Sequence, residues 1–97
     1  MEVRMINFEK AEQLIVENNL EEALLLLDEI DETMASENKV KIHLLKGQIF
    51  HKQHKWGDVI NQYTEVLEIE PGNSIAKTGI DMAKSILGFY NPDMFNP

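Results

Sequence analysis

The sequence predicts an all-α fold of antiparallel helix-turn-helix repeats, an alpha solenoid of about five helices. Three observations lead there. Apolar residues recur at helical spacing in five segments, helix-breaking residues separate them, and the chain aligns with itself at an offset of 36 residues. With 97 residues the chain holds one core, expected over residues 1–88, and residues 89–97 form an aromatic tail.

The first helix is expected from Val3 to Val16, where Ile6, Ala11, Leu14 and Ile15 make a stripe that Phe8 and Val16 widen. Asn18-Asn19 breaks it, because asparagine tolerates left-handed backbone angles and satisfies free backbone groups at a helix end. The second helix is expected from Leu20 to Thr33. Its apolar set, Leu20, Ala23, Leu24, Leu27 and Ile30 with Leu25, Leu26 and Met34 beside them, covers more than half the circumference and asks for neighbours on two sides. Ser36 is suited to cap a third helix over residues 37–52, which carries Ile42, Leu45, Ile49 and Phe50. Gly47 sits in its interior, at a cost of about 1 kcal/mol against alanine that a close helix approach would offset. Lys55-Trp56-Gly57-Asp58 is read as the corner before a fourth helix bearing Val59, Ile60, Tyr63, Val66, Leu67 and Ile69, which Pro71-Gly72-Asn73 stops. The fifth helix is expected from Ser74 to Leu87, with Ile75, Ile80, Ala83, Ile86 and Leu87, and with Gly88 as its end. Two prolines follow, and helix is not expected beyond Gly88. The tail residues Phe89, Tyr90, Met94 and Phe95 are read either as a lid over the last helices or as an exposed docking segment.

The 36-residue offset pairs Ala11 with Gly47, Leu14 with Phe50, Leu20 with Trp56, Ala23 with Val59, Leu27 with Tyr63 and Ile30 with Val66. Each pair matches in physical role. With Gly47, Phe50, Trp56, Val59, Tyr63, Val66 and Pro71 in its second unit, the chain resembles the tetratricopeptide repeat (TPR) family. The resemblance implies units at about 4–35 and 39–72 and a capping helix at about 74–87. Departures are visible: Val59 and Val66 replace small alanines, His54 stands where the corner often has glycine, and the first unit has Ala35 where proline is usual.

Charge is unevenly placed. The net charge is -8, but residues 1–39 hold eleven acids against three bases, residues 40–57 hold four lysines and no acid, and residues 58–97 hold six acids against two bases. All three histidines, His43, His51 and His54, lie in the basic island. Cysteine is absent, so disulfides and thiolate chemistry are excluded. No apolar run is long enough to span a bilayer and the N-terminus lacks the apolar stretch of a signal peptide, so a soluble cytoplasmic protein is expected.

No catalytic residues and no cofactor are expected. Ser36, Ser74 and Ser85 lie at or near helix ends without a base, and no phosphate loop or paired-carboxylate motif occurs. His51 and His54 share a helix face, but His43 is two turns from His51 and the island has no carboxylate, so no metal site is expected. The overall acidity and the lack of stacking aromatics on the basic helix argue against nucleic acid.

What the family resemblance implies is peptide binding in a concave groove lined by the first helix of each repeat. Carried over by alignment, the groove residues are Phe8, Glu12, Ile15 and Val16; then Lys41, Leu44, Gln48, His51 and Lys52; then Ile75, Thr78, Met82 and Ser85. Lys41, His51 and Lys52 make the middle rung basic, which suits an acidic peptide or helix, and they are read as the chain's one basic surface. The carboxylate clamp of chaperone-tail binders is not expected, because Phe8 and Glu12 occupy its first-unit positions. The alternative is a self-assembling structural unit, a homodimer formed through the groove or the tail.

Overall fold

The computed structural model describes residues 8–30 and 36–90, with side chains described for residues 8–30 and 38–88. Five helices follow one another: α1 (Phe8–Val16), α2 (Leu20–Asp28), α3 (Ser36–Lys52), α4 (Trp56–Ile69) and α5 (Ser74–Tyr90). Each packs on the one before it, α1 with α2, α2 with α3, α3 with α4 and α4 with α5, as stacked hairpins require. Among the described residues there is no strand.

The 36-residue offset is reproduced in the backbone. At the first corner the Asn18 N–H donates to the Ile15 carbonyl at 3.0 Å and the Asn19 N–H to the Leu14 carbonyl at 2.8 Å; at the second, His54 donates to His51 at 3.0 Å and Lys55 to Phe50 at 2.9 Å. This pair of bonds closes a helix on a left-handed residue. Asn18 and His54 take that role at φ 66° and 60°. The following helices start alike, with Ala23 donating to the Asn19 carbonyl and Val59 to that of Lys55. Asparagine carries the positive φ at modest cost; histidine does so where the resemblance asks for glycine.

Four boundaries differ from expectation. The second corner is Gln53-His54-Lys55, and Trp56, Gly57 and Asp58 belong to the first turn of α4. Ser36 lies inside α3 as its first residue and does not precede it. α2 ends at Asp28, not Thr33, and Glu29 and Ile30 turn away; the helix has no base in its last turn, and acids gathered at its negative end oppose further extension. α5 runs through Gly88 to Tyr90, because a glycine weakens a helix by about 1 kcal/mol without forbidding it. Of the tail residues, Phe89 and Tyr90 have helical backbone, contrary to expectation; their side chains, and Met94 and Phe95 altogether, lie outside the described residues. Residues 3–7 of the expected first helix and Met34 lie outside them too.

Asn73 has a role beyond stopping α4. Its side-chain oxygen accepts the Ala76 N–H at 2.9 Å and so caps α5.

The core forms two clusters that meet on α3. Ala11, Leu14 and Ile15 of α1 and Ala23 and Leu27 of α2 pack with Leu45 and Ile49 of α3. On its other side α3 gives Val40, with half-buried Leu44 and Phe50, to a cluster with Val59, Tyr63 and Val66 of α4 and Ala76 and Ala83 of α5. α2 has neighbours on two sides as its apolar surface asks, although Leu25 remains exposed.

Gly47 and Gly79 explain how α3, α4 and α5 approach. A Cβ at Gly47 would meet Cε1, Cδ1 and Cζ of Tyr63, and a Cβ at Gly79 would meet Cε2, Cδ2 and Cζ of the same ring. The ring therefore fills a slot whose two walls are helix backbone. The close approach expected at Gly47 is made by a side chain of α4.

Candidate functional site

Because α3 and α5 both pack on α4, they lie side by side and leave a shallow face between them. Ser74, Ile75, Thr78, Gly79 and Met82 of α5, His51 of α3 and Tyr63 of α4 line a cleft of about 360 Å³ there. The structure thus brings together His51, Thr78, Met82 and Ile75, four of the expected groove residues. Ile75 and Met82 are exposed apolar side chains, two turns apart on one face of α5. Gln48, Lys52 and Ser85 are exposed as a groove requires.

The α1 side of the face is different in character. Glu9, Glu12, Gln13 and exposed Val16 form a shallow surface, and Glu12 Oε2 pairs with Lys41 Nζ at 2.8 Å. The pair joins two expected groove residues on neighbouring helices. Both are almost half exposed, so it contributes little to stability. Its effect on the site is electrostatic: Lys41 is already neutralised, and the basic centre moves toward the C-terminal end of α3. Lys52 has no ion-pair partner among the described residues.

Three expected groove residues are partly or wholly core. Ile15 is 1% exposed within the first cluster. Phe8 is half-buried against that cluster and Leu44 against the second, so each offers only an edge. The alignment placed them by register, and the helix stripe that packs inward is wider than the register implied.

Lys41, His51 and Lys52 are not the one basic surface. Lys39, His43 and Lys46, at positions i, i+4 and i+7 of α3, line a second crevice of about 350 Å³ with Leu27, Ile30, Ile42 and Ile69. Its charges are largely matched: Lys46 pairs with Asp28 at 2.6 Å, Glu65 stands on the rim, and His43 Nδ1 is hydrogen-bonded to Gln62 Oε1 at 2.8 Å.

Aromatic rings stand beside the C-terminal end of α3, supplied by the corner and by the first turn of α4 and not by the basic helix surface itself. His54 stacks on Trp56 with centroids 5.5 Å apart, and His51 meets Trp56 edge-on at 5.1 Å. Trp56 is half-buried and engaged by these two rings. Among the described residues no three histidine, aspartate or glutamate side chains gather as a metal site, and no helix is long and apolar enough to cross a membrane.

No known family, no curated protein and no solved structure matches the chain.

Ser74, Gly79 and Tyr63 are the site residues that sequence reasoning missed. Tyr63 reads as a core residue of α4, which it is, and nothing in its spacing shows that it also reaches the opposite face. The available signal was Gly79, a second glycine inside a helix. Burial pushes the Tyr63 phenol above its ordinary 10.0, since a phenolate is disfavoured away from water. The folded value exceeds the unfolded one, so this contribution to stability is complete below about pH 10 and is lost as pH rises through the folded value. Urea midpoints should fall on going alkaline from there, and Tyr63→Phe should flatten the fall; an unchanged slope would show that another group drives it.

Proposed function

We propose that this chain is a non-catalytic protein-interaction module of TPR type that binds an acidic peptide or helix on the face formed by α1, α3 and α5. The observation that carries this reading is the cleft between α3 and α5, where an apolar pair, Ile75 and Met82, lies beside His51. An apolar surface with a few convergent polar groups is what a bound segment requires. Lys52, without an ion-pair partner among the described residues, supplies a cation at the end of α3, and a partner carboxylate that neutralises it gains more than a neutral group would. The family reading is supported by the 36-residue repeat, which recurs in two corners with the same hydrogen bonds and left-handed residue. A cytoplasmic adaptor needing no cofactor fits these features.

Reversing charge at Lys41 and Lys52 together should weaken partner capture from the native cell and leave the helical melting curve unchanged. Lys52 should account for most of the loss, because Lys41 is already held by Glu12. Equal capture by the double mutant would remove the basic groove from consideration. A second reading is pairing of two copies through the same face, favoured by exposed Val16 at one side and Ile75 and Met82 at the other. Sedimentation across a concentration series separates the two, since a monomer throughout excludes the dimer.

A further inference from the structure

The Tyr63 ring belongs to α4, yet its position between Gly47 and Gly79 carries its far end to the other side of the α3–α5 pair. Cε1 and Cδ1 lie against Gly47, Cε2 and Cδ2 lie against Gly79, and Cζ lies against both. The bond from Cζ to the hydroxyl therefore leads out of the slot, and Tyr63 lines the cleft together with His51, Ile75, Thr78 and Met82. The residue is only 5% exposed, and its hydroxyl has no hydrogen-bond partner among the described residues. The hydroxyl oxygen itself is not enclosed: among the described residues the one buried polar side-chain atom without a partner is Gln53 Oε1, so the Tyr63 oxygen keeps contact with solvent at the floor of the cleft and is free to donate to a bound group. Two glycines and a buried tyrosine make the donor a built feature of the fold, since its ring cannot swing away.

From this we infer that the Tyr63 hydroxyl is the polar anchor of the groove, donating to a carboxylate of a bound peptide whose neighbouring apolar side chain rests on Ile75 and Met82. The inference rests on the groove reading above and names the chemistry of its occupant. A carboxylate is favoured over a neutral acceptor for two reasons. Hydrogen bonds to a charged acceptor are roughly twice as strong as neutral ones. The groove-facing positions of α3 and α5, Lys41, Leu44, Gln48, His51 and Lys52 with Ile75, Thr78, Met82 and Ser85, include no acid, and Lys52 has no ion-pair partner among the described residues. Because burial holds the phenol above its ordinary value, it remains a protonated donor at neutral pH. Apolar contact without the acid forgoes the charged hydrogen bond from the hydroxyl, and an acid without the apolar neighbour leaves Ile75 and Met82 in water.

The test uses fluorescent heptapeptides of glycine and serine that carry a central Leu-Asp, Leu-Asn or Leu-Lys pair. Binding is followed by anisotropy and located by amide shifts in the full chain. The Leu-Asp peptide should bind tightest and shift the amides of His51, Thr78 and Met82. Tyr63→Phe, which removes one oxygen and keeps the ring in its slot, should weaken Leu-Asp binding about tenfold and narrow its preference over Leu-Asn. Lys52→Gln is an independent second variant and should also lower the Leu-Asp preference, whatever the stability of Tyr63→Phe. Equal binding of Leu-Asp by wild type and a folded Tyr63→Phe overturns the anchor, as does equal wild-type affinity for Leu-Asp and Leu-Asn. If Leu-Lys or Leu-Asn binds this face and Leu-Asp does not, the anchor and the acidic preference both fail, and the face stands only as a peptide groove. If no peptide shifts amides of α1, α3 or α5, both fail.

Discussion

Replacing Ile49 with alanine should lower stability by about 2–5 kcal/mol, the range for emptying a fully buried aliphatic site. Ile49 is 0% exposed and belongs to the cluster that joins α3 to α1 and α2. That junction is thinner than the packing of α3 on α4 or of α4 on α5. The loss should therefore be uneven. Amide hydrogen exchange should rise through α1 and α2 and stay slow in α4, because the Val59, Tyr63 and Val66 cluster does not include Ile49. A uniform rise across all five helices would mean that the two clusters unfold as one unit.

Gly79→Ala is the second large effect, and it runs against helix propensity. Alanine is the better helix former by about 1 kcal/mol, so at an open helical site the change stabilises. At Gly79 the new methyl would meet the Tyr63 ring, which Gly47 blocks from behind. The ring has nowhere to retreat, and overpacking of this kind costs about 1–3 kcal/mol. Urea denaturation should show a net destabilisation, and Gly57→Ala is the control. Gly57 lies in the first turn of α4 with nothing within 4 Å of its would-be Cβ, so alanine there should be neutral or mildly stabilising. A stabilised Gly79→Ala would show that the slot is wider than described.

Much of this architecture was legible because it is written in short-range patterns. Five apolar stripes and their breakers locate five helices, and the two corners repeat because Asn18 and His54 stand 36 residues apart with matching neighbours. Boundaries set by competition were harder to read. The apolar pattern of α2 continues past Asp28, but charge at the helix end opposes it. Gly88 looks like a stop, yet α5 passes through it, and the stronger breaker Pro92 lies two residues beyond the described end of the helix.

The site was legible only by face. Periodicity separates the exposed Gln48, Lys52, Thr78 and Met82 from the buried stripe and puts Ile15 in that stripe; the groove register implied by the family resemblance is what misplaced Ile15. Pairing and reach depend on three-dimensional neighbours. That Glu12 neutralises Lys41, and that a tyrosine on α4 reaches the α3–α5 cleft, follow from how the helices are set against one another.

The order of the stack also bears on how the chain acquires its shape. Every main contact joins consecutive helices, so little loop entropy is spent before native contacts form, and folding can begin in one hairpin and spread. The thicker packing lies toward α4 and α5, whereas a ribosome delivers α1 and α2 first. As the chain emerges, the stripe of Ala11, Leu14 and Ile15 has α2 alone for company until Leu45 and Ile49 arrive. The third helix is thus the keystone in time as well as in space, and synthesis must pass it before either half has its full set of neighbours.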